Sequence, residues 1–498
     1  MSRLSTPASP RRWITLAIVA SALFMICVDM TVLYTALPVL THELRASASE
    51  KLWIVNVYAL VVAGLLPGLG TLGDRHGHRP LFLAGLALFG VASLAAALAP
   101  SPAWLIAARA LLGVGGATMM PATLAIIRVS FEDVQERAVA IGLWAGIAGG
   151  GLALGPVIGG LLLEHHAWGT VFLVNLPVVV AALLATLLVV PASRPVGGPP
   201  WDLLGSLQVM AGLFGLVYAI KAVAYRPLPW VALAASAALG AGSLTLFVRR
   251  QRQRKPPLID FTLFRLPGFG AAVAGAGLGT AGIVGFELVL GQQLQLVLER
   301  SPLQAGLIIL PTPLGSFLAG PLTGRLLGSR SAARVGAGGL LVSAAAALCL
   351  VGLPFDGGLT PLLTLLLVLV GAGVGAAATA ASSAIMSGAP AGRSGMAASI
   401  EEVGFELGSA LGVALFGSLL TISYASGLNL PAGGALPAVV HESLDDALRT
   451  ASSLPAAAAQ SLRDSARAAF TGAFHAVMVG AALLWAATAV WMLRQRRA

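Results

Sequence analysis

The sequence predicts an all-α integral membrane protein with fourteen transmembrane helices, and three observations support that fold class. Hydrophobic residues make up 57% of the 498 residues, and charged residues make up only 10%. Soluble domains carry about 25% charged residues. The mean hydropathy is +0.89. Apolar runs of about 20 residues, the length that crosses a bilayer as a helix, recur along the whole chain.

The predicted spans follow one another with mostly short polar connections. They cover residues 13–37, 52–71, 80–100, 102–127, 138–163, 168–190, 203–221, 229–248, 269–291, 303–326, 334–354, 360–386, 396–422 and 469–493. The first apolar run is too long for the core of a signal peptide, so we interpret it as a spanning helix.

The distribution of basic residues predicts the orientation. With the N-terminus inside, cytoplasmic segments hold 21 of the 30 Lys and Arg residues and outer segments hold 8. Because basic residues accumulate in cytoplasmic loops, both termini are expected to be cytoplasmic. The same bias accounts for the net charge of +10 without a nucleic-acid partner. The basic segment 249–265 fits an orientation signal and linker, with membrane lipid as the alternative ligand.

Two linkers divide the chain into two six-helix bundles and an inserted helix pair. The segments "SRPVGGPPWD" and "RRQRQRKPPLIDFTLFR" flank spans seven and eight. We predict an N-terminal bundle over 1–191, a linker with the inserted helices over 192–267, and a C-terminal bundle over 268–498. The outer segment 424–468 is expected to form short amphipathic helices, either as a solvated loop or as a lid.

Motifs for enzymatic chemistry are missing from the sequence. The three lysines, Lys51, Lys221 and Lys255, follow Glu, Ile and Arg, so none belongs to a phosphate loop. The histidines have no metal-ligand spacing, and Cys27 and Cys349 lie in apolar runs that favour packing. We therefore expect a protein that is not an enzyme, has no metal or cofactor, and draws energy from an ion gradient.

Ionisable residues inside predicted spans are the first candidates for function, because a charge at bilayer depth costs roughly 2.5 to 3.5 kcal/mol even on a lenient scale. Asp29 lies in "ALFMICVDMTVLYTALP", and Arg109 lies in span four. A rise of about 1.5 Å per residue allows the two to share one depth. They form either a structural ion pair or a functional site.

The other acids inside the membrane lie in the C-terminal half. Glu402 and Glu406 share one face of span thirteen, where like charges repel, so at least one is expected to hold a proton near neutral pH. Glu401 points about 100° away. Glu287 lies near the outer end of span nine, as an interfacial residue or a substrate ligand. The candidates for cation–π contacts with a substrate are the aromatic residues Tyr34, Trp53, Tyr58, Trp144 and Phe405.

Three motifs resemble signatures of the major facilitator superfamily. "GTLGDRHGHRP" (70–80) resembles its loop between spans two and three, with His78 where Arg is usual. "LIAARALLGVGGA" (105–117) is similar to the span-four motif, and "GIAGGGLALGPVIGG" (146–160) to the span-five motif of exporters. The resemblance implies gating residues in the first and third motifs. These are Gly70, Asp74, Arg75, Gly77, Arg79, Gly146, Gly155, Pro156, Gly159 and Gly160.

Four further stretches resemble the fourteen-helix drug:proton antiporter branch. They are "DMTVLYTALP", "LWIVNVYAL", "WGTVFLVNLP" and "SIEEVGFELG". The resemblance assigns proton coupling to Arg109, coupling or cation recognition to Asp29, and substrate or proton binding to Glu401 or Glu402. Some relatives carry an additional acid in span ten for divalent cations, which this span does not have.

The residues and the resemblance together predict proton-coupled efflux of lipophilic cationic drugs, dyes and antiseptics, such as quaternary ammonium compounds and methyl viologen. The expected partners are small cations, protons and membrane lipid, and a monomer in the bacterial cytoplasmic membrane is expected. The alternative is a dedicated exporter of a single antibiotic or other metabolite. A membrane-embedded enzyme or sensor on this fold is the alternative from another class.

Overall fold

The computed structural model describes residues 11–131, 133–191, 201–223, 228–255, 257–327, 329–353, 358, 360–388, 394–429 and 437–494. Within these ranges the chain is built of helices joined by turns, and no strand forms. The α-helices are α1 Arg11–Glu43, α2 Ala48–His76, α3 His78–Ala97, α4 Pro102–Ser130, α5 Val134–His165, α6 Thr170–Leu173, α7 Asn175–Val189, α8 Leu203–Ala222, α9 Trp230–Gln253, α10 Phe269–Gln292, α11 Pro302–Ile309, α12 Pro311–Leu327, α13 Ala332–Val351, α14 Pro361–Gly388, α15 Ser394–Gly427, α16 Leu444–Ala451 and α17 Ala456–Arg494.

The helices confirm the predicted fold class. Thirteen segments of the described chain are long and apolar enough to cross a membrane. The remaining predicted span lies on α5, a continuous helix in which Gly150–His165 is a shorter apolar stretch. The sixth span consists of α6 and α7, and the tenth of α11 and α12. The break before α12 is caused by Pro311, which has no backbone N–H to continue the helix.

The helices pack as two bundles with a pair beside them. Helices α1 to α7 surround one apolar core, and α10 to α15 with α17 surround a second. Helices α8 and α9 pack on each other, and α8 also contacts α2 of the first bundle and α15 of the second. The third apolar cluster joins Ala59 and Ala63 of α2, Val209 of α8, and Ala410 and Ala414 of α15. The inserted pair therefore lies along the seam between the two halves.

Local sequence signals set several helix starts. Ser47 and Glu50 form a capping box at the start of α2, and Ser301 and Gln304 form another at the start of α11. Both satisfy backbone N–H groups that have no partner inside the helix. Gly77 is the only residue between α2 and α3, and its φ of 97° is a conformation that favours glycine.

The bundle has two faces, which we name by what they carry. The terminal face holds the start of α1 and the end of α17, and the α16 face holds the segment between α15 and α17. That segment is shorter than predicted: α15 ends at Gly427 and α17 begins at Ala456, because the alanine-rich 456–468 is helical. The expected short amphipathic helix is present as α16, which begins at the N-cap Ser443.

A buried carboxylate joins the inserted helices at the terminal face. Asp202 is 2% exposed and receives hydrogen bonds from Arg250 at 2.8 Å and Gln251 at 3.0 Å. Arg254 lies 3.2 Å away. Burial alone would raise the pKa of Asp202, but the hydrogen bonds from Arg250, the Gly205 amide and Gln251, with the charge of Arg254, lower it to about 2. The ionised carboxylate therefore holds the start of α8 against the end of α9.

We expect Asp202→Asn to lower the free energy of unfolding by about 1 to 2 kcal/mol, since the two arginines are partly exposed and solvent screens them. The folded pKa is below that of an unfolded carboxyl, so this stabilisation is complete above about pH 4. It is lost as the pH falls toward 2. Thermal unfolding of the purified protein at several pH values measures it. Asp464→Asn, at an exposed site, is the control; equal melting temperatures for both variants at pH 7 would contradict the assignment.

Candidate functional site

A buried ion pair lies at the centre of the first bundle. Asp29 of α1 is 0% exposed, and its Oδ2 lies 2.5 Å from Nη1 of Arg109 on α4. The guanidinium also lies 4.7 Å from the centre of the Tyr58 ring and donates from Nε to the carbonyl of Ile54 at 3.4 Å. The two residues do share one depth, and Tyr58 belongs to the same site.

Sequence reasoning missed the third member of this network. Asn175, at the first position of α7, donates from Nδ2 to Oδ1 of Asp29 at 2.9 Å. The same nitrogen lies 3.1 Å from Oγ of Ser93 on α3. Asn175 lies in the quoted stretch "WGTVFLVNLP", and an amide inside an apolar span was the available signal. Both oxygens of Asp29 are therefore occupied by side chains of the protein.

The acids of the second bundle face the first bundle across the seam. Glu287 of α10 and Glu402 of α15 are half-buried, whereas Glu406 is 4% exposed. The Oε2 atom of Glu406 has no hydrogen-bond partner among the described residues. Glu406 interacts electrostatically with Glu402 and with Arg109. The cluster thus places three carboxyl groups on the side that faces the ion pair, with Arg109 as the basic residue that interacts with Glu406.

Tyr34 connects the two sets of residues. It lies on α1, 7% exposed, and its side chain hydrogen bonds that of Ser409 on α15. It also interacts electrostatically with Glu287, Glu406 and Arg109. Tyr34 therefore marks the place where carboxylates of α10 and α15 meet the first bundle.

Four predicted residues lie elsewhere. Glu401 is buried and hydrogen bonds Ser382 of α14. Phe405 packs with the apolar cluster around the start of α10, and Trp144 donates to Oγ1 of Thr123 at 3.2 Å. Trp53 stacks on Phe214 of the inserted helix α8, with ring centres 5.4 Å apart. The cation–π candidates at the central site are thus Tyr34 and Tyr58.

Lys51, just before the second predicted span, and Lys221, the last residue of the seventh, are both buried inside helices. Lys51 is 7% exposed and donates to Oε1 of Gln292 on α10 at 2.8 Å. Lys221 is 3% exposed and reaches from α8 to α2. Helix α2 begins four residues before the predicted span, which is why Lys51 lies within it.

The glycines of the span-five motif place α5 between two neighbours. A Cβ on Gly155 would overlap with Thr31 of α1, and one on Gly159 would lie 2.7 Å from Cγ2 of Val32. A Cβ on Gly160 would overlap with the backbone of Leu303 at the start of α11. Small residues permit such close helix approach. The motif thus joins α5 to α1 on one side and to the second bundle on the other.

The other predicted gating residues make fewer contacts among the described residues. Pro156 lies inside α5, and its carbonyl contacts Gly306 of α11. Gly70 lies 3.9 Å from Pro121 as measured from an added Cβ, and Arg79 donates to the carbonyl of Leu187 at 2.9 Å. Arg75 is exposed. The contacts of Asp74 and Gly146 lie outside the described residues.

The halves meet at the α16 face. Lys51 bonds Gln292 there, and Gln295, in a π-helical turn after α10, donates to the carbonyl of Thr35 at 2.9 Å. The two halves are therefore joined by direct contacts at the α16 face.

A small cavity lies under α16. Lys51, Gln292 and Tyr424 line it, and it contains none of the central acids. The central site is therefore distinct from this cavity. No group of three or more potential metal ligands is found in the part of the chain that the structure describes. The carboxyl groups of the central site can each bind either a proton or an organic cation.

Comparisons with known proteins place the chain among transporters. The model of the Major Facilitator Superfamily matches residues 19–286. The multidrug efflux pump LfrA of Mycolicibacterium smegmatis is 40% identical, covering 99% of this chain and 98% of the relative. The methyl viologen resistance protein SmvA of Salmonella typhimurium is 38% identical, with 97% and 98% covered. A tetracenomycin C resistance and export protein of Streptomyces glaucescens is 32% identical, with 83% and 78% covered.

Solved structures agree on the fold. A bacterial homologue of the human lysosomal transporter Spinster, solved in an inward-facing, unoccupied conformation, matches with a TM-score of 0.66 at 17% identity. The match covers 98% of this chain and 98% of that chain.

We expect Gly160→Ala to separate α5 from α11, because the new Cβ would overlap backbone atoms, which cannot rotate away. Spin labels at Glu164→Cys and Gln304→Cys, with the native cysteines replaced, report the separation by pulsed electron resonance. The variant should add a longer distance population. Gly150→Ala, which meets open space, is the matched control; the same distance distribution for both variants would show that the contact does not hold the α16 face closed.

Proposed function

The chain belongs to the Major Facilitator Superfamily, and we propose that it exports lipophilic cationic drugs, dyes and antiseptics in exchange for protons. The observation that carries this proposal is the cluster of Glu287, Glu402 and Glu406 beside the buried pair of Asp29 and Arg109. The relatives that are named as multidrug and methyl viologen resistance pumps support it.

Cation recognition falls to the acids of the second bundle. Asp29 has both oxygens bound to Arg109 and Asn175, so it has no free oxygen for a substrate in this conformation. Glu287 and Glu402 are half-buried, and Oε2 of Glu406 has no hydrogen-bond partner in the described part of the chain. A substrate cation supplies the positive charge that this cluster lacks, and the rings of Tyr34 and Tyr58 add cation–π attraction of about 0.5 to 2 kcal/mol each.

Proton coupling follows from competition for the same carboxylates. A proton and a cation both neutralise Glu402 or Glu406, so the binding of one weakens the binding of the other. Arg109 interacts with Asp29 at 2.5 Å and electrostatically with Glu406. A change in the charge of Glu406 therefore changes how strongly Arg109 is held by Asp29. This links the proton on one bundle to the ion pair in the other.

Alternating access is the means of transport in this proposal. The terminal face is cytoplasmic in this proposal, in line with the bias of basic residues, and the contacts at the α16 face then close the outer side. Export requires the contacts between α5 and α11, and between Lys51 and Gln292, to open while the terminal face closes. The protein acts in the bacterial cytoplasmic membrane as a monomer, with no cofactor, and the proton gradient drives it.

A dedicated exporter of one compound is the second candidate. It is favoured by the relative named for tetracenomycin C export and by a probable actinorhodin transporter, 31% identical over 84% of this chain. Growth protection in a strain without its own efflux pumps separates the two. Protection against several unrelated cations supports the multidrug exporter, and protection against a single compound supports the dedicated one.

We expect energised cells that express the protein to export ethidium, and a protonophore to abolish the export. Asp29→Asn should lower the export rate about tenfold or more, since the buried charge of Arg109 then has no carboxylate to compensate it. Ethidium fluorescence at matched expression measures this. The double variant Asp29→Asn, Arg109→Gln removes the buried unpaired charge, so it should regain thermal stability without regaining export.

The control for expression and handling is Asp464→Asn, at an exposed carboxylate of α17, which should export like the wild type. Wild-type export that resists the protonophore would contradict proton coupling. Unchanged export in Asp29→Asn would remove Asp29 from the site.

We expect Glu406→Gln to uncouple cation binding from proton release. In proteoliposomes, addition of ethidium to the wild type should release protons into a weakly buffered medium, and the variant should release fewer for the same bound dye. A pH-sensitive dye measures the release, and dye binding is measured separately. Glu401→Gln, at the acid turned toward α14, is the matched control and should release protons like the wild type. Equal release from Glu406→Gln and wild type would exclude Glu406 as the coupled acid.

A further inference from the structure

The side chain of Lys221 is bound as a ligand would be. It lies in the last turn of α8 and is 3% exposed. Its Nζ atom donates to the carbonyl of Ser49, in the first turn of α2, at 3.0 Å. The same atom lies 4.3 Å from the centre of the Trp53 ring, one turn further along α2. The ammonium group is thus held by one carbonyl and one aromatic face.

Further aromatic rings hold Trp53 in this position. Phe214 stacks on Trp53 with ring centres 5.4 Å apart and planes inclined by 13°. Tyr218 lies 6.4 Å from Trp53 with planes inclined by 29°. Phe214 and Tyr218 precede Lys221 on the same helix. Trp53, with Phe214 and Tyr218 stacked against it, and the Ser49 carbonyl form the site that we name the aromatic box.

The box binds its cation without a carboxylate. In the part of the chain that the structure describes, Lys221 has no acidic partner, although a buried ammonium usually pairs with one. An aromatic face and a carbonyl are the groups that recognise alkylammonium ligands, because the ring quadrupole attracts a cation and the carbonyl accepts a hydrogen bond from the ammonium N–H. The chemistry of the box therefore does not depend on the lysine being covalently attached to the chain.

We propose that the face of Trp53 and the Ser49 carbonyl, with Phe214 and Tyr218 holding the Trp53 ring in place, form a second cation-binding site, separate from the central acids, that takes an alkylammonium group and that the chain fills with its own Lys221. The site opens toward the bilayer, since Tyr218 is 41% exposed on the outside of α8. Amphiphilic ammonium compounds dissolved in the membrane reach it there and compete with Lys221.

Occupancy of the box affects how α8 is attached. Toward the terminal face, α8 contacts α2 through Met210 beside Gly64 and Ser206 beside Gly68. At the other end the Lys221 contact fastens α8 to the first turn of α2, next to Lys51. Displacement of Lys221 by an ammonium compound breaks its contact with Ser49, and the stacking of Phe214 and Tyr218 on Trp53 then remains as the attachment of α8 at this end.

Chemical rescue tests the site in the purified full-length protein. Lys221→Ala empties the box and should lower the melting temperature. Titration with n-butylammonium chloride, against potassium chloride at equal ionic strength, should raise the melting temperature of this variant by about 2 °C or more beyond any rise in the wild type. Lys221→Arg, which keeps the charge, should respond like the wild type.

The double variant Lys221→Ala, Trp53→Leu tests whether the box is the place of binding. Its melting temperature should rise with n-butylammonium no more than that of the wild type. An equal rise in the wild type and Lys221→Ala, or a full rise in the double variant, overturns the proposal. If Lys221→Ala fails to fold, n-butylammonium during solubilisation should restore its yield, and no restoration overturns the proposal. Binding of n-butylammonium at the central acids would raise the melting temperature of all variants alike. The difference in melting temperature between the variants therefore tests the aromatic box even if the export proposal fails.

Discussion

The pairing of Asp29 with Arg109 is the constraint on which the first bundle depends. Each charge alone would be costly at this depth, and a buried pair is stable only when the remaining donors and acceptors are also satisfied. Asn175 donates a hydrogen bond to Asp29 and contacts Ser93, and the Ile54 carbonyl accepts a hydrogen bond from Arg109. These groups come from α1, α2, α3, α4 and α7, so five helices of one bundle meet at a single polar network. The first bundle therefore moves as a unit, and conformational change falls at its boundary with the second.

The second bundle has the opposite electrostatic character. Among the described residues, its acids near the seam have no basic partner within the second bundle, and Arg109 of the first bundle interacts with Glu406. One half of the site is neutral and complete, and the other half lacks positive charge. A proton or an organic cation can supply that charge, and only one of them is needed at a time. This asymmetry makes exchange a property of the arrangement rather than of any single carboxylate.

The depth of a residue along its helix and the helix face on which it lies could be predicted from the sequence. The residues that it contacts on other helices could not. Helix rise placed Asp29 and Arg109 at one depth, and the four-residue spacing placed Glu402 and Glu406 on one face. The residues that satisfy or enclose a charge were missed, because Asn175 and Lys221 act across helix boundaries. Trp53 was assigned to the substrate for the same reason: its ring faces α8, and the position of an inserted pair beside α2 is not contained in the periodicity of either helix.

The contacts that close the α16 face are suited to repeated opening. Between α5 and α11 the closure is made by backbone atoms around Gly160 and Leu303, which lose only van der Waals contact when they separate. The polar contacts at the same face, from Lys51 to Gln292 and from Gln295 to the Thr35 carbonyl, join groups that water can satisfy after separation. The Asp29 network has no such replacement, since it is fully enclosed. The seam therefore opens at lower cost than the interior of the first bundle, and this difference directs motion to the boundary between the two halves.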